Sequence, residues 1–202
     1  MIIGGAGIQN YDVIRSCLHS DDFIICCDSG LKHQKALSVT PDLIIGDFDS
    51  HEDPQLSVET ITLPRIKDDT DTMAAVRESV RRGFQDFLLI GIIGERLDHT
   101  LANLYMLLWL DAHGKKAAAL DDYSEIEVVS REPVNVSDRF PYFSILNIDG
   151  TAHGITIKNA KYTLDNAEIP CEYQFGVSNE PLPGKEAEIS LREGRILLIK
   201  DR

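Results

Sequence analysis

Pro41-Asp42-Leu43-Ile44-Ile45-Gly46-Asp47-Phe48-Asp49-Ser50 decides how the chain is read. Three consecutive apolar residues, two of them β-branched, predict a short buried strand. Gly46 ends the run, and two carboxylates follow two positions apart. In extended backbone, residues i and i+2 point to the same side, so Asp47 and Asp49 share a face. Adjacent anions repel unless a cation lies between them or one is protonated. A strand that ends on such a pair points to a hard divalent ion, Mg2+ above all. A solvated Asp-rich turn is the competing reading, and it is the better one for an isolated Asp-x-Asp.

This pair is not isolated. Working outward, Phe23 to Cys27 reads as a buried strand ending in Asp28-Ser29-Gly30, and Ile2-Ile3 as a short strand entering Gly4, Gly5 and Gly7. Helices are expected over Tyr11 to Leu18 and Leu31 to Leu37. Ile61 and Leu63 mark a short strand, and Lys67-Asp68-Asp69-Thr70-Asp71-Thr72 leads into a helix carrying Met73, Val76 and Val80, with Gly83 as its stop. Capping explains one or two of those aspartates, not all three beside Lys67. Phe87 to Ile93 is the strongest strand. It ends in Gly94-Glu95-Arg96-Leu97-Asp98-His99, followed by an apolar helix to Gly114 and a strand from Lys116 to Leu120. This alternation predicts a parallel sheet covered on both faces.

After Asp122 the texture changes. Glu125 to Val129, Tyr142 to Ile148, Ile155 to Ile157, Glu186 to Leu191 and Arg195 to Ile199 are strand-like runs separated by turn residues. They predict an all-β sandwich or barrel. The expected organisation is therefore an α/β domain over residues 1–122, mainly parallel, Rossmann-like and three-layered, followed by an all-β sandwich domain over 123–202.

With 33 acidic against 20 basic residues, the net charge is −13, which argues against a nucleic-acid or anionic-membrane binder. It leaves room for a phosphate substrate arriving with its own metal. Cys17, Cys26, Cys27 and Cys171 form no C-x-x-C pair or disulfide framework. With no apolar run of membrane-spanning length and no leader-like start, the expected location is a reducing cytoplasm.

In an open α/β sheet, ligands bind beyond the carboxyl ends of the strands. Asp28, then Asp47 with Asp49, then Asp68, Asp69 and Asp71, then Asp98 all fall there, so they can converge on a metal-bound polyphosphate. Lys67 and Arg96 are candidate phosphate cations, although pairing with neighbouring acids explains each equally well. His99 opens a helix, where capping competes with a site role. Gly176-Val177-Ser178-Asn179-Glu180 reads as a polar loop between strands.

Taken in order, Pro41 to Ser50, Lys67 to Asp71, Arg96-Leu97-Asp98-His99-Thr100-Leu101-Ala102-Asn103 and Gly176 to Glu180 make the chain resemble the thiamine pyrophosphokinases over nearly its whole length. That resemblance implies pyrophosphoryl transfer from ATP to the hydroxyl of thiamine, giving thiamine diphosphate and AMP. It implies Mg2+ as cofactor and a homodimer with the active site at the subunit interface. Asp47, Asp49 and Asp71 would be the metal ligands, and with Asp98 the catalytic carboxylates. Asp28, Lys67, Asp68, Thr70, Arg96 and His99 would attend the nucleotide, and Ser178 and Asn179 the thiamine. Tyr173 and Phe175 are candidates to stack on its pyrimidine. The chain departs from the family pattern at Ser29, Glu95 and Phe175. Two alternatives stand beside this reading: a haloacid-dehalogenase-like phosphatase with Asp47 as nucleophile, and a pyrophosphokinase acting on a pterin-type alcohol. A non-catalytic thiamine- or nucleotide-binding module is disfavoured by the number of acids.

Overall fold

The computed structural model describes residues 1–48, 57–66, 68–94 and 96–202. The chain divides into two compact units, Met1–Asp122 and Tyr123–Arg202.

The first unit alternates strand and helix. Its elements are β1 (Ile2–Ile3), α1 (Tyr11–Arg15), β2 (Ile25–Cys27), a 3-10 helix (Asp28–His33) running into α2 (Gln34–Leu37), β3 (Leu43–Gly46), β4 (Glu59–Thr62), α3 (Asp71–Arg81), β5 (Asp86–Ile90), α4 (Leu97–Ala112) and β6 (Lys116–Leu120). Among the described residues the strands lie in the order β6-β5-β1-β2-β3-β4. Every pairing in that series is parallel. Ile3, Cys26, Ile90 and Leu120 line up across one face and cluster with Ile14 of α1 and Leu37 of α2. Their neighbours Ile2, Ile25, Leu43, Leu89 and Ala119, which point the other way, are buried as well. Helix α3 lies against β1, β2 and β3, and α4 against β6. Burial on both faces is why these strands read as unbroken apolar runs.

The helices depart from expectation at their ends. After Arg15 the N–H groups of Cys17 and Leu18 reach back only three residues, and the Ser16 hydroxyl donates to the Val13 carbonyl at 2.7 Å, so α1 closes early. The turn expected from Leu31 begins instead at Asp28. Its Gly30 sits so close to β1 that an added Cβ would lie 2.2 Å from the Ile3 carbonyl oxygen. The start of α1 is held by Asp122, whose carboxylate accepts the N–H groups of Gln9 and Asn10 at 3.0 and 2.7 Å.

Helix α3 begins on Thr70, whose hydroxyl oxygen accepts the Met73 N–H at 3.2 Å. Its other end is tied to β4, since Arg82 donates to both Glu78 and Glu59. Hydrogen bonds from Arg81 first, and from Arg82, hold the Glu78 carboxyl down at about 2, against a burial effect that raises it. A depressed folded-state pKa contributes stability above the ordinary value of 4.5 and loses it as pH falls from there toward 2. Glu78→Gln is therefore expected to flatten the fall in denaturation midpoint below about pH 5, measured in urea across an acid series. A parallel fall in both proteins would overturn this.

The second unit, all of whose residues are described, is built of strands without a helix. They are β7 (Ser124–Val129), β8 (Val134–Ser137), β9 (Tyr142–Leu146), β10 (Thr151–Lys158), β11 (Leu164–Pro170), β12 (Gly176–Asn179), β13 (Glu186–Ser190) and β14 (Ile196–Asp201). Antiparallel pairings arrange them as β12-β9-β14-β7 and β11-β10-β13-β8. Val129, Phe143, Ile145, Ile196 and Leu198 of the first set share one core with Val136, Ile155, Ile157, Ile169 and Ile189 of the second. The segment Gly176 to Asn179, expected as a loop, is the edge strand β12. Among the described residues no helix is long and apolar enough to cross a membrane.

Candidate active site

Strand order reverses at β1, which has β2 on one side and β5 on the other. Such a switch point opens a crevice between the loops that leave the two central strands. Here those loops are both rich in glycine. The Gly4 N–H donates to the Ile90 carbonyl at 2.8 Å, and the Ala6 N–H donates to the Gly91 carbonyl at 2.8 Å. Gly91 has φ +61°, and a Cβ there would lie 2.5 Å from the Gly4 carbonyl oxygen. A cavity of about 420 Å³ opens at this place. Its walls come from the first loop (Gly5, Ala6), the end of β2 (Cys27, Asp28, Ser29), Asp47 after β3, the start of α3 (Thr70, Asp71, Thr72), and the β5–α4 turn with the first turns of α4.

Three carboxylates converge there. Asp28, Asp47 and Asp71 each offer an oxygen, and these oxygens lie within 4.8 Å of one another. The sequence brings them together through element ends: Asp28 follows β2, Asp47 follows β3, and Asp71 is the first residue of α3, where the helix dipole favours a negative charge. Gly46 makes the approach possible, because a Cβ at that position would sit 2.8 Å from the Asp28 Cβ. Asp28 is only 5% exposed, so its charge must be compensated locally. Oxygen donors of this kind, close together and negatively charged, fit a hard divalent cation.

The other candidates divide. Thr70, Arg96 and His99 line the cavity. Asp98 does not. Its exposed carboxylate pairs with Arg96 at 2.7 Å and accepts the His99 N–H at 2.9 Å. The Arg96 hydrogen bond, then that of the His99 backbone, holds the Asp98 carboxyl below the usual range. Asp68 is exposed and lies outside the cavity wall, and Asp69 pairs with Arg77 at 3.2 Å. Asp49, Lys67 and Glu95 lie outside the described residues. In the second unit, Ser178 has φ +60° and its N–H donates to the Ser144 hydroxyl oxygen at 3.0 Å. Asn179 is 4% exposed. Its side-chain oxygen accepts the N–H groups of Tyr162 and Glu180 at 3.0 and 2.9 Å, and its amide donates to the Tyr162 carbonyl at 2.7 Å. Its carboxamide thus braces the edge strand. Tyr173 and Phe175 are exposed, with ring centroids 5.9 Å apart.

Gly91 and Asn103 belong to the wall and were not singled out as site residues. A glycine inside an otherwise apolar run was the available signal for Gly91. Asn103 stands at the end of the Arg96–Asn103 motif, and its amide donates to the Ile92 carbonyl at 2.6 Å.

A carboxylate triad beside the switch point of a parallel sheet, with an antiparallel unit following, makes this a two-unit α/β protein of the metal- and phosphate-binding kind. The model of "Thiamin pyrophosphokinase, catalytic domain" matches residues 14–119. That of "Thiamin pyrophosphokinase, vitamin B1 binding domain" matches residues 126–196. The chain belongs to the thiamin pyrophosphokinase family. A curated relative, the thiamine pyrophosphokinase of Bacillus subtilis (strain 168), is 23% identical over 170 residues, covering 80% of this chain and 79% of that protein. The crystal structure of thiamine pyrophosphokinase from Bacillus subtilis superposes with a TM-score of 0.88 at 21% identity, over 99% of this chain and 97% of the other. That from Geobacillus thermodenitrificans gives 0.83 at 25% identity, over 100% and 96%. Neither the phosphatase nor the pterin alternative is favoured by these matches.

Proposed function

We propose that the cavity between the two glycine loops is where a pyrophosphoryl group passes from ATP to the hydroxyl of thiamine. The convergence of Asp28, Asp47 and Asp71 carries this reading. In the proposed site Asp28, Asp47 and Asp71, with Asp49, hold Mg2+. A metal ion held by these carboxylates would supply positive charge that offsets the charge of the phosphates. Thr70, Arg96 and His99, which line the cavity, face the nucleotide. Asp68 would attend it only from outside that wall, and Lys67 as the resemblance implies. Among the described residues that line the cavity, Arg96 is the cation, and its exposed pairing with Asp98 contributes so little that a phosphate in the cavity can displace it. Asp98 would then act by holding Arg96 until the nucleotide arrives.

In the transfer, the thiamine hydroxyl oxygen bonds to the β-phosphorus and the bond from that phosphorus to the α,β-bridging oxygen breaks. AMP leaves with the electron pair, and the hydroxyl proton goes to a carboxylate of the cluster. In-line positioning and charge neutralisation supply most of what such a step needs. An acidic wall also suits the fixed positive charge of the thiazolium ring.

The finer organisation is part of the same proposal. Residues 1–122 would be a Rossmann-like three-layer catalytic domain, supported by burial on both faces of the parallel sheet. Residues 123–202 would be a thiamine-binding β-sandwich, supported by the core shared between its two strand sets. Ser178 would contact thiamine directly and Asn179 through the strand it braces. A cytoplasmic homodimer completes the proposal.

Incubation with ATP, Mg2+ and thiamine is expected to yield AMP and thiamine diphosphate in equal amounts. ADP in place of AMP, or no thiamine-dependent AMP, would overturn the assignment.

A further inference from the structure

The loop that follows β1 is held from behind by two consecutive side chains. Lys32 donates to the Gly5 carbonyl, and the His33 ring Nε2 lies 2.8 Å from the Ala6 carbonyl oxygen. A carbonyl can only accept, so Nε2 carries the hydrogen and Nδ1 is left as an acceptor. The Tyr11 hydroxyl, 2.8 Å from Nδ1, therefore donates to it, and one tautomer is selected. His33 is 1% exposed, and its burial lowers its basicity and keeps the ring neutral. A trans peptide directs its N–H opposite to its C=O. With the Gly5 carbonyl drawn back to Lys32, the Ala6 N–H faces forward to the Gly91 carbonyl. The loop is thus stretched between the 3-10 helix behind it and the β5 loop in front.

We infer that His33, with Tyr11 behind it, is a positioning residue that sets the backbone of the Gly4–Gly7 loop against the nucleotide. This rests on the assignment of the cavity to MgATP given above. A buried histidine that only filled space would affect stability and leave the substrates alike. One that fixes this loop affects the nucleotide selectively.

His33→Leu, which removes the donor, is expected to raise KM for MgATP about tenfold while KM for thiamine stays within about twofold. His33→Gln, whose amide can still donate to the Ala6 carbonyl, is expected to recover most of that loss. Tyr11→Phe should give a smaller shift in the same direction. Equal shifts in both KM values, or a Gln variant no better than Leu, would overturn the inference. Affinity for a non-hydrolysable MgATP analogue, read by calorimetry, is expected to fall in the same ratio as KM rises. Absence of AMP formation by the unsubstituted protein would count against the reaction, whereas unchanged analogue affinity in His33→Leu would count against His33. Should His33→Leu not fold, nitrogen NMR of the unsubstituted protein decides. An Nε2–H ring with bare Nδ1 is expected with and without the analogue, and an Nδ1–H ring would overturn the inference.

Discussion

Asp28→Asn is expected to make the metal-free protein harder to melt, to remove the stabilisation that Mg2+ confers, and to lower turnover by roughly a thousandfold. The three effects share one cause. Two unit charges 4.8 Å apart repel by roughly 3 kcal/mol at an effective dielectric near 20, and Asp28 faces two such neighbours. Local compensation offsets part of this. A gain of only about 1 kcal/mol from neutralising one acid would still raise the melting temperature by roughly 3 °C in a chain of this size. Asparagine keeps the shape and one oxygen but loses the charge that a divalent ion requires. Differential scanning with and without Mg2+, beside an AMP assay, checks all three. A lower melting temperature with the Mg2+ shift intact would make Asp28 a structural acid.

Gly91→Ala is expected to lower stability by about 3 kcal/mol or more and to destroy nucleotide affinity. Two costs add at this position. A φ of +61° penalises any residue with a Cβ, and that Cβ would stand 2.5 Å from the Gly4 carbonyl oxygen. The obstacle is backbone, which cannot step aside without splaying the two loops. Gly83 supplies the control, because it has φ +92° and nothing within 4 Å of an added Cβ. Gly83→Ala should therefore cost only the conformational part, about 1 kcal/mol. Urea denaturation of the pair isolates the close approach, and equal losses would show that the loops do not depend on it.

What could be read from the sequence followed burial. Strands β3, β5 and β6 stand out because Leu43-Ile44-Ile45, Phe87 to Ile90 and Ala117 to Leu120 are covered from both sides and carry little else. Strand β11 went unread because only Ile169 within it is buried and Asn166 adopts φ +51°, so its pattern is that of a turn. Strand β12 was hidden for a similar reason: Gly176, Ser178 and Asn179 are turn formers, and the edge position tolerates them. In the site, Asp47 and Asp71 were legible as acids at element ends. Closing the triad with Asp28 depends on the missing side chain of Gly46, a contact between strands that spacing along the chain does not encode. Asp98 looked equivalent to them, yet the first turn of α4 carries its carboxylate outward to Arg96.

The adjacent thiols of β2 have a chemical consequence. Cys26 turns toward α1 and α2 while Cys27 turns into the cavity wall, so no oxidant can join them across one strand. Burial pushes the Cys26 thiol up to about 12, and that of Cys27 higher still, leaving almost no thiolate at neutral pH. Alkylating reagents will find the exposed Cys171 first. A maleimide dye can thus be placed on the β unit while the sulfur beside the acids stays untouched.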